Sequence, residues 1–199
     1  MIYKQAYWYF SSVLTPRFCN ELINYANHHK KQIGLTGSYE KENLTKKDIK
    51  NLQKKRKSNL VWLDDAWIYK EIIPYVQLAN KTAKWNFSLK GAEACQFTEY
   101  NQGEYYDWHH DQFTDEKEII RKLSVTCNLS KPEDYEGGEL EFGLFNPNVK
   151  RKYNFLKCEE IKPQGSIVVF PSFLWHRVTP VTKGKRNSLV IWSQGDRFK

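Results

Sequence analysis

No run of apolar residues in this 199-residue chain approaches the roughly 18 that a membrane-spanning helix requires. The first ten residues, Met1 to Phe10, are aromatic and polar where a secretory leader would carry an aliphatic stretch and a small-residue cleavage site. These absences exclude a membrane span and lead to the expectation of a cytoplasmic protein. Cys-x-x-Cys pairs are also lacking. Cys19, Cys95, Cys127 and Cys158 are too widely spaced for a zinc site or a disulfide framework, and read as buried free thiols in a reducing compartment. Internal repeats and low-complexity segments are absent too, which leaves a single non-repetitive domain.

What is present is aromatic. Phe, Trp and Tyr make up 15% of the chain, with seven Trp and twelve Tyr, enough for a core of wide side chains or a cleft lined by them. A hydrophobic content of 40% against 27% charged residues is that of a globular domain. The net charge is +8, and much of the excess lies between Lys41 and Lys57. No nucleic-acid motif accompanies that run, so it reads as a solvated loop and helix surface, and its position makes it a candidate lid.

Residues 1–12 read as an aromatic strand. Thr15-Pro16 opens a helix, with Thr15 as N-cap and Pro16 at its first position, and Phe18, Leu22, Ile23 and Ala26 give it one apolar face. Residues 34–57 form a polar excursion expected to be mobile. A second helical pattern runs from Trp67 to Ala79 behind Asp64 or Asp65, with Pro74 placed to kink or split it. From about residue 93 the period changes to that of strands: Ala94–Tyr100, Lys122–Leu129, Glu139–Phe142, Tyr153–Leu156, Ser166–Phe170, His176–Val181 and Asn187–Trp192. Turn signals separate them, among them Gly137-Gly138 and Thr182-Lys183-Gly184. The fold class is therefore mainly β with N-terminal helices: a double-stranded β-helix, or jelly roll, over residues 93–199, supported by a helical segment over residues 1–92 of one domain.

The chemistry concentrates around Tyr105-Tyr106-Asp107-Trp108-His109-His110-Asp111. In an extended chain His109 and Asp111, two residues apart, share a face, while His110 turns away. His176, on a later strand, supplies a third donor. Two imidazoles and one carboxylate form a facial triad suited to non-haem Fe(II), with the opposite positions open. Arg186 follows ten residues after His176. If the two lie on adjacent strands joined by the Thr182-Lys183-Gly184 turn, its guanidinium reaches the same mouth. Arg grips a carboxylate through two hydrogen bonds, and the hydroxyl of Ser188 adds a third.

Tyr100-x-x-Gly103-x-x-Tyr106-x-x-His109-x-Asp111, then Asp134-Tyr135-Glu136-Gly137-Gly138-Glu139-Leu140, then His176-Arg177-Val178-Thr179-Pro180-Val181 and Arg186, resemble the prolyl-4-hydroxylase-like 2-oxoglutarate/Fe(II)-dependent oxygenases, in particular the microbial PKHD-type branch. The resemblance covers Tyr100 to Trp192, and Arg56 to Leu63 fits more loosely. It implies iron held by His109, Asp111 and His176, and the distal carboxylate of 2-oxoglutarate held by Arg186 with Tyr100 and Ser188. Asn128 stands where some members place a co-substrate-binding Tyr. Animal collagen-type members carry Lys in place of Arg186, which points to the microbial branch.

By the same resemblance, the cofactors are Fe(II), 2-oxoglutarate and O₂, with L-ascorbate as reductant. The implied reaction is hydroxylation of a prolyl residue in a proline-containing peptide or protein, with release of succinate and CO₂. Candidate substrate residues are Trp192, Tyr106, Trp108 and Arg56, with Tyr105 and Phe113 in the same aromatic surround. Oxidation of a free amino acid or other small molecule is the first rival. Nucleic-acid demethylation fits less well, because Trp192 occupies the position where such enzymes carry a second Arg. A non-enzymatic cupin-like binding module would want His-x-His with a downstream Glu, which this chain lacks.

Overall fold

The chain is described from a computed structural model, over residues 5–34, 44–112, 118–143 and 155–198. Helix α1 (Pro16–Asn27) starts as its sequence dictates: the Thr15 hydroxyl accepts from the Phe18 N–H at 3.1 Å, and Pro16 follows as the first helical residue. Its buried face is Cys19, Leu22 and Ala26. His28 and His29, just beyond it, place Nδ1 at 2.7 and 2.9 Å from the carbonyl oxygens of Asn24 and Tyr25. A short helix α2 (Lys46–Leu52) carries a reciprocal cap between Thr45 and Asp48.

Helix α3 (Ala66–Thr82) runs unbroken through Pro74. Proline inside a helix costs about 3 kcal/mol. Burying Ile68, Ile72 and Val76, all at 0–1% exposure, returns about 1.5–3 kcal/mol each, so the helix is not split at Pro74. Its N-cap, Asp65, makes no capping bond; its carboxylate accepts instead from the Tyr25 hydroxyl at 2.9 Å and ties α3 to α1.

Among the described residues the strands form two antiparallel sheets. The larger runs β1 (Trp8–Phe10), β12 (Ile167–Pro171), β8 (Ile119–Asn128), β14 (Val181–Asp196), β6 (Cys95–Asn101), β4 (Asn59–Leu63), β2 (Gln32–Ile33), and β14 also pairs with β5 (Gly91–Ala92) and β9 (Tyr135–Gly137). The smaller runs β11 (Phe155–Lys157), β10 (Leu140–Gly143), β13 (His176–Val178), β7 (Tyr105–His109), β3 (Arg56–Lys57). The jelly-roll expectation holds, with three corrections. Strands from residues 1–92 enter both sheets, so that half is more than a helical support. Residues 44–57 of the supposed mobile excursion form α2 and β3, while 35–43 lie outside the described residues. Of the strand expected over 153–156, residues 153 and 154 also lie outside.

The third correction concerns Thr182-Lys183-Gly184, which is no turn. It lies inside the sixteen-residue strand β14, where Gly184 pairs with Tyr135. Gly184 has φ +72°, and a Cβ there would sit 2.0 Å from the Asp134 carbonyl oxygen, so glycine marks a close approach of two backbones. His176 and Arg186 are therefore not on adjacent strands. They belong to different sheets and meet across the interior.

The larger sheet is buried on both faces, and strand alternation divides its side chains. Leu123, Val125 and Cys127 of β8, Ile167 and Val169 of β12, and Leu189 and Ile191 of β14 pack with α1 and α3 in the main core. The residues between them, Ser124, Thr126, Val168, Phe170, Ser188 and Trp192, point to the opposite face, toward the smaller sheet. Leu140, Phe142, Val168 and Phe170 fill one end of the space between the sheets. No helix among the described residues is long and apolar enough to cross a membrane.

Candidate active site

The unfilled part of that interior is a cavity lined by residues of both sheets. On its small-sheet side, β7 and β13 are out of step by one residue: His109 pairs with His176, but Tyr106 pairs with Val178. Three steps along β7 thus match two along β13. This bulge reverses the alternation, so Tyr106 and His109 both face the cavity. Their rings stack at 3.4 Å between centroids and 12° between planes. Trp108 takes the other side, under the Arg177 guanidinium at 4.8 Å, and does not line the cavity. His110 also turns away, edge-on to Trp175.

Asp111 lies just past the end of β7, where its N–H donates to the Ser172 carbonyl at 2.9 Å. His109, Asp111 and His176 bring one donor atom each within 4.8 Å of one another. Asp111 Oδ1 lies 3.7 Å from His109 Nε2, and Oδ2 lies 3.6 Å from His176 Nε2. Each imidazole is turned by a backbone carbonyl: His109 Nδ1 lies 2.8 Å from the Asp107 oxygen and His176 Nδ1 2.9 Å from that of Leu174. With the Nδ1 proton donated to a carbonyl, each Nε2 presents its lone pair inward.

Electrostatics act in the same sense. Burial, with the neighbouring His176 ring, pushes the His109 imidazolium well below its ordinary range, so the ring is neutral. Burial pushes the Asp111 carboxyl up, but the facing rings of His176 and His109 and the Ser124 hydroxyl outweigh it and hold the pKa down to about 2. Ser124 donates to Asp111 Oδ2 at 2.7 Å and stands 3.0 Å from Ser172 Oγ. Two imidazoles and an ionised carboxylate on one side of a cavity are a donor set that fits a ferrous ion.

Across the cavity Arg186 is 1% exposed. Its Nη1 donates to Ser188 Oγ at 3.3 Å, its Nε has no partner, and its guanidinium stands 5.7 Å from the Tyr100 ring centre. A Cβ on Gly138 would press within 2.9 Å of Arg186 Cδ, so glycine at that position makes room for the side chain. A second buried guanidinium enters from β3. Arg56 lies 4.5 Å over the Tyr106 ring and donates through Nε to Ser58 Oγ at 2.9 Å. Its Nη1 reaches Gln96 Oε1 only at 3.4 Å, and Nη2 is unpartnered. Neither arginine pairs with a carboxylate among the described residues.

Tyr100, Ser188 and Trp192 also line the cavity. Asn128 does not. It ends β8, and its amide donates to the carbonyls of Ser130 and Lys162 at 3.1 and 2.7 Å, which commits it to holding two loops. Phe113 lies outside the described residues. The sequence reading missed Ser124, Gln96 and Thr126, polar residues in otherwise apolar strands whose period of two was the available signal. It also missed Arg121. That residue grips Glu93 through two hydrogen bonds, lies 3.9 Å over the Trp192 ring and reaches the Asp111 carbonyl at 3.4 Å.

Residues 95–194 match the 2OG-Fe(II) oxygenase superfamily. A PKHD-type hydroxylase of Shewanella frigidimarina is 38% identical over 108 residues, 49% of this chain and 42% of that protein. The matched segment thus spans less than half the length of that relative. The viral collagen prolyl hydroxylase of Paramecium Bursaria Chlorella virus-1, solved as a 2OG complex, superposes with a TM-score of 0.67 at 20% identity, covering 96% of this chain and 97% of its own. A prolyl hydroxylase of Trichoplax adhaerens, solved with a hypoxia inducible factor peptide fragment, gives 0.63 at 16% identity, covering 96% and 84%. At these identities the two structures speak for the jelly-roll fold.

Proposed function

The chain belongs to the 2OG-Fe(II) oxygenase superfamily, and on that premise we propose that it hydroxylates a C–H bond, that of a prolyl residue in a peptide or protein, while converting 2-oxoglutarate and O₂ to succinate and CO₂. One observation carries the reading: a two-His, one-Asp cluster and the buried, carboxylate-free Arg186 face the same cavity from opposite sheets.

His109, Asp111 and His176 would hold Fe(II), which supplies O₂ activation coupled to decarboxylation of the 2-oxo acid. Arg186 would take the distal carboxylate of 2-oxoglutarate, with Ser188 and Tyr100 beside it. Ser124 and the carbonyls of Asp107 and Leu174 keep the three donors oriented. Leu140, Phe170, Val178 and Val190 wall the cavity with apolar surface and limit water around the reacting carbon. Tyr106 and Trp192 flank the space left for the substrate. A hydroxylation is favoured by the PKHD-type hydroxylase relative, and its prolyl target by the prolyl hydroxylases among the structural neighbours. Four buried free thiols suit work in a reducing, cytoplasmic compartment.

The test is mass spectrometry of proline-containing peptides incubated with the protein, Fe(II), 2-oxoglutarate, O₂ and L-ascorbate, with His176→Ala as control. One added oxygen on proline, absent in the control, is the expected result. Succinate without a modified peptide would move the target to small molecules. No succinate from metal-loaded protein would overturn the oxygenase reading.

A further inference from the structure

Arg56 has no counterpart in the reaction as proposed so far. 2-Oxoglutarate brings two carboxylates, one for the metal and one for Arg186. Arg56 remains in the same cavity, 4% exposed, with one guanidinium nitrogen unpartnered and, among the described residues, no carboxylate to neutralise it. A buried guanidinium costs several kcal/mol of desolvation unless an anion joins it, and its planar fork matches a carboxylate.

The surface leading to Arg56 has the same sign. From Thr45 to Lys57 the chain has Lys46, Lys47, Lys50, Lys54, Lys55, Arg56 and Lys57 against one acid, Asp48, whose carboxylate is used by the Thr45 cap. Lys46, Lys47, Lys50, Lys54 and Lys57 are exposed and, among the described residues, in no ion pair. Lys31 and Lys185 nearby share the single carboxylate of Glu99, at 2.8 and 3.0 Å. This basic rim is attached to the site. The Tyr105 hydroxyl stands 3.2 and 3.1 Å from the carbonyls of Gln53 and Lys54, and the Asp107 N–H donates to Lys55 O at 2.9 Å. Asp107 in turn orients His109.

We propose that the substrate is an acidic peptide, one carboxylate of which pairs with Arg56 beside the target carbon while others run along the α2–β3 rim. This rests on the peptide reading above. A nucleic acid fits less well, because residues 44–58 contain no aromatic side chain on which a base could stack.

The measurement is fluorescence anisotropy on the full chain loaded with Mn(II) and 2-oxoglutarate. The probes are a labelled nonapeptide with central proline flanked by Asp and Glu, and its Asn/Gln isostere. The wild type should bind the acidic peptide about tenfold more tightly at low salt, and the preference should collapse in Arg56→Gln and shrink in Lys54→Gln/Lys57→Gln. The second variant alters only exposed side chains, so it decides the matter even where Arg56→Gln does not fold. Equal binding of both peptides by the wild type overturns the proposal. So does a preference that survives the lysine substitutions, or displacement of the peptide by a tighter-binding single-stranded DNA oligonucleotide. Acid-selective binding without hydroxylation would sink the reaction proposed above and leave this inference standing. Equal hydroxylation and equal binding of both peptides would do the reverse.

Discussion

Replacing Arg186 by Met should make the ligand-free protein more stable and at the same time insensitive to 2-oxoglutarate. The side chain is 1% exposed and, among the described residues, has no carboxylate partner; exchanging buried charged groups for apolar ones of similar size commonly stabilises by about 1–4 kcal/mol. Two contacts are lost in exchange. The 3.3 Å bond to Ser188 and the cation–π contact to Tyr100 at 5.7 Å are both long, and together amount to about 1–1.5 kcal/mol. The net gain centres near about 1 kcal/mol, which for a chain of this size raises the melting temperature by about 2–4 °C. A ligand at a hundred times its Kd stabilises by about 2.7 kcal/mol, so 2-oxoglutarate should raise the wild-type midpoint and leave the variant's unmoved. Thermal unfolding with Mn(II), with and without 2-oxoglutarate, reads both effects. A ligand-free variant less stable than wild type by more than 1 kcal/mol, or a preserved 2-oxoglutarate shift, would refute the reasoning.

Three further outcomes follow from named contacts. Ser124→Ala removes the 2.7 Å donor to Asp111 and should weaken metal binding about 10- to 100-fold; unchanged affinity in a calorimetric Mn(II) titration would show that Asp111 holds its orientation without it. Phe142→Ala empties a site between Tyr7 and Phe170, at ring distances of 4.9 and 5.0 Å, and should cost about 3–5 kcal/mol in urea unfolding; a loss below 1 kcal/mol would contradict the core described. Burial pushes the Glu99 carboxyl up, but Lys31 and Lys185 outweigh it and leave its pKa below the ordinary 4.5. A lowered folded-state value stabilises above the unfolded pKa and is lost as pH falls through the folded one. The stability advantage of wild type over Glu99→Gln should therefore be full above pH 4.5 and shrink in more acid solution; an advantage constant across that range would exclude the linkage.

The site was legible where function fixes residue type at short spacing. His109 and Asp111 are two apart, and that spacing predicts their meeting although Asp111 lies beyond the strand. Arg186 was found from the need for a carboxylate partner, even though the connection imagined for it was wrong. Gly184 reads as a turn in sequence because positive φ and close backbone approach call for the same residue. Pro74 reads as a break because its cost is local, while the burial that outweighs it comes from α1 and the larger sheet. The β7 bulge has no local signal at all: it exists only as a mismatch with β13, sixty-seven residues on by the His109–His176 pairing. Asn128 was misplaced for a related reason. Its strand position is suitable, but its amide answers to loops that sequence does not bring near it.

The alternation of the larger sheet divides labour residue by residue. On β8 the side chains of Leu123, Val125 and Cys127 belong to the helix-covered core, while Ser124 and Thr126, one step along the same backbone, face the chemistry. Inheritance can therefore act on the two separately. A lineage can exchange inward residues and acquire a new substrate while its outward residues, and with them the ability to fold, stay as they were. The pleat makes neighbours in sequence into strangers in selection.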